Sequence, residues 1–239
     1  MPEHAGFLRD IIANPDDDAP RLIYADWLDD HGERARAAFI RAQCHLARIC
    51  IPEIASRAFP AGRLLPELRS QFLGSLLALG LEEAPDLERG VGPGFRFSFR
   101  RGFVEDLVVF GSEAAEQFVD HAERLFALTP LRDLCFVSTT CSWQDHKPYH
   151  DPLSLETLQR LVGLPELGQL LRLKLSWQEF RDDAASVLLA SPLSGRTTLL
   201  LEGNRFSPAA EQALRERFGD RIRIDEPWPD EDSGEAIPY

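Results

Sequence analysis

Leu170-Leu171-Arg172-Leu173-Lys174-Leu175 has the pattern apolar-x-x-Leu-x-apolar, and the pattern recurs along the chain. It returns as Val104-x-x-Leu107-x-Val109, Leu131-x-x-Leu134-x-Phe136 and, more weakly, Arg196-x-x-Leu199-x-Leu201. The central leucines 107, 134, 173 and 199 stand 27, 39 and 26 residues apart, and the pair Ile222 and Ile224 follows 23 residues after Leu199 and Leu201. Alternation puts the leucines on one face of a short strand and their neighbours on the other. Helical patterns fill the intervals over 114–128, 155–162, 184–189 and 209–218, with Pro208 suited to the first turn of the last. Strands alternating with helices predict an α/β fold with a parallel sheet. The expected strands are 104–109, 132–136, 171–175, 198–201 and 222–224, neighbours in sequence order. The long step carries an insertion around 138–152.

The first third of the chain reads as helices. Phe7, Leu8, Ile11 and Ile12 recur at helical spacing until Asn14-Pro15 stops them. Asp18 is placed to N-cap the next helix, with Pro20 in its first turn and Gly32 as its stop. Leu22, Ile23, Trp27 and Leu28 form its expected apolar stripe, which puts Trp27 in the core beside Phe7, Leu28 and Phe39. Ala35, Ala38, Phe39, Ala42, Leu46 and Ile49 give a third stripe, ended by Pro52; 53–63 reads as a loop. Leu64 to Leu77 gives a fourth helix, closed by Gly80 and Pro85. Gly90-Val91-Gly92-Pro93-Gly94 is a linker, after which Phe95-Arg96-Phe97-Ser98-Phe99-Arg100 alternates as a strand.

The stretch Pro15-Asp16-Asp17-Asp18-Ala19-Pro20-Arg21-Leu22-Ile23-Tyr24-Ala25-Asp26-Trp27-Leu28, with Phe39-Ile40-Arg41-Ala42-Gln43, carries more polar residues than packing needs: Arg21, Tyr24, Asp26, Arg41 and Gln43. It resembles the repeat-companion domain at the N-terminus of many planctomycete-type bacterial proteins. Ala38 stands where that family has Glu, in Arg36-Ala37-Ala38-Phe39-Ile40-Arg41. The resemblance implies leucine-rich-repeat-like units after the companion domain and carries no biochemical activity with it. A strand and a helix every 26–28 residues resembles long leucine-rich repeats, which stack into a solenoid. Gly203-Asn204-Arg205-Phe206 matches the turn after the strand, whereas Trp177-Gln178 departs from it and leaves an asparagine ladder incomplete. The organisation expected is a helical companion or capping domain over 1–90, a leucine-rich-repeat-like solenoid over 91–225 and an acidic flexible tail over 226–239.

A content of 44% hydrophobic and 27% charged residues is that of a folded globular chain. The net charge of −13 argues against binding a nucleic-acid backbone. Residues 225–239 hold Asp225, Glu226, Asp230, Glu231, Asp232 and Glu235 with no Lys or Arg, so the body of the chain is only mildly acidic. No apolar run approaches the ~20 residues of a membrane span. The start Met1-Pro2-Glu3-His4 lacks the features of a signal peptide. Cys44, Cys50, Cys135 and Cys141 include no CxxC pair, as expected of idle thiols in a reducing cytoplasm.

Strand alternation selects the candidate site. One outward row is Asp106, Asp133, Arg172, Thr198 and Arg221; the next is Val108, Cys135, Lys174, Leu200 and Arg223. The rows run from acid to base and mix apolar with charged side chains, which suits a protein-binding face. Trp143 and Tyr149 in the insertion extend it. No cofactor, membrane or nucleic-acid partner is implied, and no nucleophile elbow, phosphate loop or zinc-protease motif is present. Cys135, Cys141, His146 and His150 have zinc-type ligands, but the first spacing is too long and a strand claims Cys135. Asp16-Asp17-Asp18 lacks the alternation of a calcium loop and suits a helix start. Asp26 and Arg41 are expected to serve a structural role, as an ion pair or a capping hydrogen bond. The function these features support is a non-catalytic protein-interaction or scaffold module. The alternative is a hydrolase or metal-dependent enzyme that uses the 138–152 insertion.

Overall fold

Leu134, Leu173, Leu199 and Ile222 stand side by side in the computed structural model, and all four are buried. They belong to strands β4 (Asp133–Val137), β7 (Arg172–Lys174), β8 (Thr198–Leu200) and β9 (Ile222–Arg223). The three successive pairings are parallel, in the register Leu134↔Leu173↔Leu199↔Ile222. The second and third expected strands therefore pair in parallel, as the leucine spacing requires. The structure describes residues 2–49, 59–60, 64, 66–84, 93–141, 148–193 and 195–224. Pro52, most of the 53–63 loop, Pro85, the linker up to Gly92, the insertion over 142–147 and the tail from Asp225 lie outside them.

The remaining strands are β1 (Phe59–Pro60), β2 (Gly94–Arg100), β3 (Phe103–Phe110), β5 (Thr139–Cys141) and β6 (Pro148–His150). In hydrogen-bonding order the main sheet reads β1-β2-β3-β4-β7-β8-β9. β1 pairs antiparallel with β2, so part of the expected loop over 53–63 is a sheet edge. β5 and β6 form a separate antiparallel pair inside the insertion. The class is α/β with a mostly parallel sheet.

The chain divides into two compact units. The first comprises Met1–Leu81, Arg96–Leu107 and Glu123–Leu131; the second comprises Glu82–Phe95, Val108–Ala122 and Arg132–Tyr239. The helices are α1 (Pro2–Ala13), α2 (Ala19–Asp30), α3 (Arg34–Ile49), α4 (Pro66–Leu77), α5 (Ser112–Leu128), α6 (Leu155–Val162), α7 (Asp182–Ala190) and α8 (Pro208–Phe218).

In the second unit the helices after the strands start where polar side chains satisfy free amides. Ser154 caps α6 through the amide of Thr157 (3.0 Å), and Ser207 caps α8 through that of Ala210 (3.3 Å). Pro208 occupies the first turn of α8, as expected. Asp151 accepts from the amide of Ser112 at the start of α5 (2.9 Å). Asp182, at the start of α7, accepts from the Ser207 amide (2.8 Å), and the hydrogen bonds from Ser207 hold its carboxyl below the usual aspartate range.

The first unit corrects the expected helix faces. The buried side of α2 is Arg21, Tyr24, Ala25 and Leu28, while Ile23 is 59% exposed. Arg21 can face inward because Glu105 on β3 meets it: Nη2 lies 2.6 Å from Oε1, and both side chains are buried. A sequence stripe that keeps charge outside misses this, since the partner is 84 residues away. On α3 the buried positions are Ala37, Ile40 and Cys44, one step round from the expected stripe; Ala35, Ala38 and Ala42 face solvent and Leu46 is 55% exposed. Trp27 is half-buried, not core. It lies in an aromatic group with His4, Phe7, Tyr24 and His31, whereas Phe39 packs on Phe72 and Phe99. Asp18 stands at the N-cap position as expected, but its side chain makes no cap bond: Asp17 accepts from the Ala19 amide (2.9 Å), and Asp18 meets Arg48 (2.8 Å) and Arg101 (3.3 Å).

The turn Arg101-Gly102 between β2 and β3 has positive φ at both residues (47° and 85°), which suits a tight hairpin connection. α3 grips it. Gln43 Oε1 accepts from the Gly102 amide (2.6 Å), and the Cys44 thiol points at the Arg101 carbonyl (3.8 Å). A Cβ at Gly102 would come within 2.7 Å of the Ile40 backbone, so the helix sits directly on the turn. Burial first, and Asp18 second, push the Cys44 thiol up to about 11, so it stays protonated at neutral pH. Arg36 lies over the rings of Phe72 (4.7 Å) and Phe103 (5.3 Å), and burial lowers its guanidinium to about 10.

The Arg21–Glu105 pair gives a direct stability test. Arg21→Met leaves a buried carboxylate without its cation and is expected to cost about 3–5 kcal/mol in denaturant melts. Arg21→Met with Glu105→Leu removes both charges and should recover most of that loss. A double variant no more stable than the single one would contradict the assignment.

Candidate functional site

The face opposite the buried leucines is set residue by residue by the register. One row is Asp133–Arg172–Thr198, and the next is Cys135–Lys174–Leu200–Arg223. None of the seven is buried, and Val108 on β3 is likewise only half-buried. The register aligns these seven; Arg221, expected in the first row, precedes β9 and has no paired position in it. Asp106 lies in the first unit, where Arg100 donates Nε and Nη2 to its two oxygens (2.9 and 3.1 Å). Trp143 and the side chain of Tyr149 lie outside the described residues.

Charge on this face is not the gradient that sequence order suggests. Arg172 donates Nε and Nη2 to the two oxygens of Asp133, both at 2.6 Å, a bidentate pair that neutralises the acid. Arg221 precedes β9 in a 3-10 turn, donates to the Thr197 carbonyl (3.3 Å) and lies 5.9 Å from the Phe218 ring centre. Lys174 is exposed, with no ion-pair partner among the described residues. Arg223 is exposed and, among the described residues, reaches the Asp220 carbonyl at 3.5 Å. Between them stands half-buried Leu200. The unit thus presents two cations flanking an aliphatic side chain, with the Cys135 thiol next in the row.

Just past the strand ends the same parity brings Ser176 to Glu202; the hydroxyl donates to Oε2 at 2.5 Å. The leucine pattern stops at Leu175 and does not reveal this pair. Continuing the alternation one position further does.

Behind these residues runs a buried polar spine. Asn204 Nδ2 donates to the carbonyls of Leu175 (3.0 Å) and Leu201 (2.8 Å), and Oδ1 accepts from the amides of Gln178 (3.0 Å) and Phe180 (3.1 Å). Gln178 does the same one repeat earlier. Its Nε2 donates to the carbonyls of Phe136 (3.1 Å) and Ser176 (3.3 Å), and Oε1 accepts from the Leu153 amide (3.0 Å). Gln178, where the sequence pattern lacks Asn, makes amide hydrogen bonds of the same kind.

Trp177 and Glu179 flank Gln178 with positive φ, 60° and 58°. Trp177 N–H donates to the Glu202 carbonyl (2.9 Å), and its ring covers Gly203 so closely that a Cβ there would overlap ring carbons. Its carbonyl accepts from the Ser138 hydroxyl and from His150 Nε2 (3.0 Å). His150 Nδ1 lies 3.2 Å from Glu179, which in turn is 3.9 Å from Arg205. Ser138, His150 and Glu179 are the residue types of an acyl-transfer triad. However, hydroxyl and imidazole both point at a backbone carbonyl, and Ser138 is buried. They tie the β5–β6 pair to the exit of β7. Among the described residues no group of three or more His, Cys, Asp or Glu could hold a metal; His146 and the side chain of Cys141 lie outside them. No helix among those residues is long and apolar enough to cross a membrane.

The polar residues of the N-terminal stretch all have partners within the first unit. Arg21 meets Glu105, the Tyr24 hydroxyl shares a hydrogen bond with His4 Nδ1 (2.8 Å), and Gln43 holds Gly102. Arg41 bridges Asp26 (2.7 Å) and Asp29 (2.6 Å). The expected Asp26–Arg41 pair is present, at the surface.

Comparison of the chain with family models, with curated proteins and with solved structures finds no match.

The spine is testable. Asn204→Asp keeps the shape but replaces two donors with acceptors facing the Leu175 and Leu201 carbonyls. A loss of about 2–4 kcal/mol in denaturant melts is expected, since buried carbonyls lose their donors. A change under about 0.5 kcal/mol would show that the spine does not hold the strand exits together.

Proposed function

We propose that this chain is a non-catalytic protein-interaction or scaffold module that binds a partner on the outward face of its parallel strands. The observation that carries the reading is the row Cys135–Lys174–Leu200–Arg223, exposed or half-buried at every position, behind which the Leu134–Leu173–Leu199–Ile222 row is buried. A monomer gains nothing in packing from an aliphatic side chain set between two exposed cations. A partner supplying apolar and acidic groups would bury the first and pair the second.

The repeat spacing, the parallel register and the amide spine all support a leucine-rich-repeat-like solenoid, and the N-terminal signature supports a companion domain before it. In that reading the polar signature is architectural: each member fixes a helix or a turn. The unbridged thiols Cys44 and Cys135 fit a reducing cytoplasm.

Charge reversal tests the site. Lys174→Glu with Arg223→Glu should lower retention of bound protein from a native-cell lysate tenfold or more, about 1.4 kcal/mol. The thermal midpoint should stay unchanged, because both side chains are exposed. Retention of the same proteins in the same amounts would remove this face as the site.

A further inference from the structure

We propose that the chain carries its own occupant for this face: the acidic segment 225–239 docks across Arg223, Leu200 and Lys174 and competes with an external partner. This rests on the reading of the row as a binding face.

Position comes first. β9 ends at Arg223, and buried Ile224 is the last described residue, so the segment from Asp225 is covalently attached next to the end of the row. β9 is also the terminal strand of the sheet order. Lys174 lies two strands in, about 10 Å from Arg223 at the usual strand spacing. Asp230 stands six positions after Ile224, and at the ~3.1 Å per residue of a Pro-rich segment that length reaches about 19 Å. The acids at 230–232 therefore reach Lys174 without strain.

Chemistry comes second. The segment holds six acidic residues and no Lys or Arg; its aromatic residues are Trp228, set between Pro227 and Pro229, and Tyr239. The two prolines fix φ and lower the entropy lost on docking. The row offers a cation, an aliphatic side chain and a cation. Asp225 or Glu226 meets Arg223, Trp228 covers Leu200, and Asp230 to Asp232 meets Lys174. Arg172 is not needed, since Asp133 already neutralises it. Attachment through the same strand gives a local concentration in the millimolar range, enough to hold a weak contact closed. A partner that binds here must offer the same acidic and apolar chemistry and displace the segment.

Zero-length carbodiimide cross-linking of the full chain reads this contact directly, because the sequence has only two lysines, Lys147 and Lys174. The expected product joins Lys174 to a carboxylate between Asp230 and Glu235 within one chain, identified in an equal mixture of light and isotope-labelled protein. Its yield should fall about fivefold or more in 1 M salt, where the screening length is about 3 Å. Arg223→Glu, which leaves the linked lysine in place, should lower it as well. Absence of any link from Lys174 to the segment, or links only between light and heavy chains, would overturn the proposal. The cross-link needs no partner, so its failure leaves the binding-face reading standing, and failure of the lysate experiment leaves the cross-link standing.

Discussion

The strands of the second unit are short, and buried side-chain amides continue the hydrogen bonding where the ladder stops. β7 and β8 are three residues long and β9 is two. Such strands leave backbone groups at their exits that water cannot reach, and each must be paired. Asn204 pairs four and Gln178 three, each bridging neighbouring turns of the chain. The packing of Trp177 on Gly203 locks the same level. With the exits fixed, register follows, and register decides which side chains face solvent. The mixed row of cations and aliphatic groups is thus a consequence of the spine rather than an independent feature.

The first unit solves a different problem with similar means. Its helices set charge against groups distant in sequence: Arg21 meets Glu105, and Arg36 lies among the rings of Phe72, Phe99 and Phe103. Around them Gln43 and Gly102 bring α3 onto the β2–β3 turn. The dense polar signature around Arg21 to Gln43 is therefore explained by folding.

The repeat strands were legible because a period of two in leucines has one structural meaning. The helices of the second unit were legible from helical spacing and, for the last, from Pro208 in its first turn. The faces of α2 and α3 were not. Hydrophobicity puts Ile23 inside and Arg21 outside, and only the carboxylate of Glu105, far along the chain, reverses them. On α3 the alanines make two neighbouring stripes nearly equal in hydrophobicity, and the turn at Gly102 chooses between them. The role of Gln178 was not legible, because a longer amide there reaches the Phe136 and Ser176 carbonyls and the Leu153 amide. The site rows followed from parity alone, but their charge did not: the bidentate Arg172–Asp133 pair cancels what a list of charges suggests.

The spine and the outward face share one register, and one native thiol reports it. Cys135 stands directly opposite Lys174 across the β4–β7 pairing. Lys174→Cys should place two thiols on the same face within disulfide range, about 4.4–6.8 Å between Cα atoms, and mild oxidation should join it to Cys135. The same substitution at Arg172 should not bridge. A bond to Cys135 from position 172 and none from position 174 would shift the register and contradict both the spine and the face built on it.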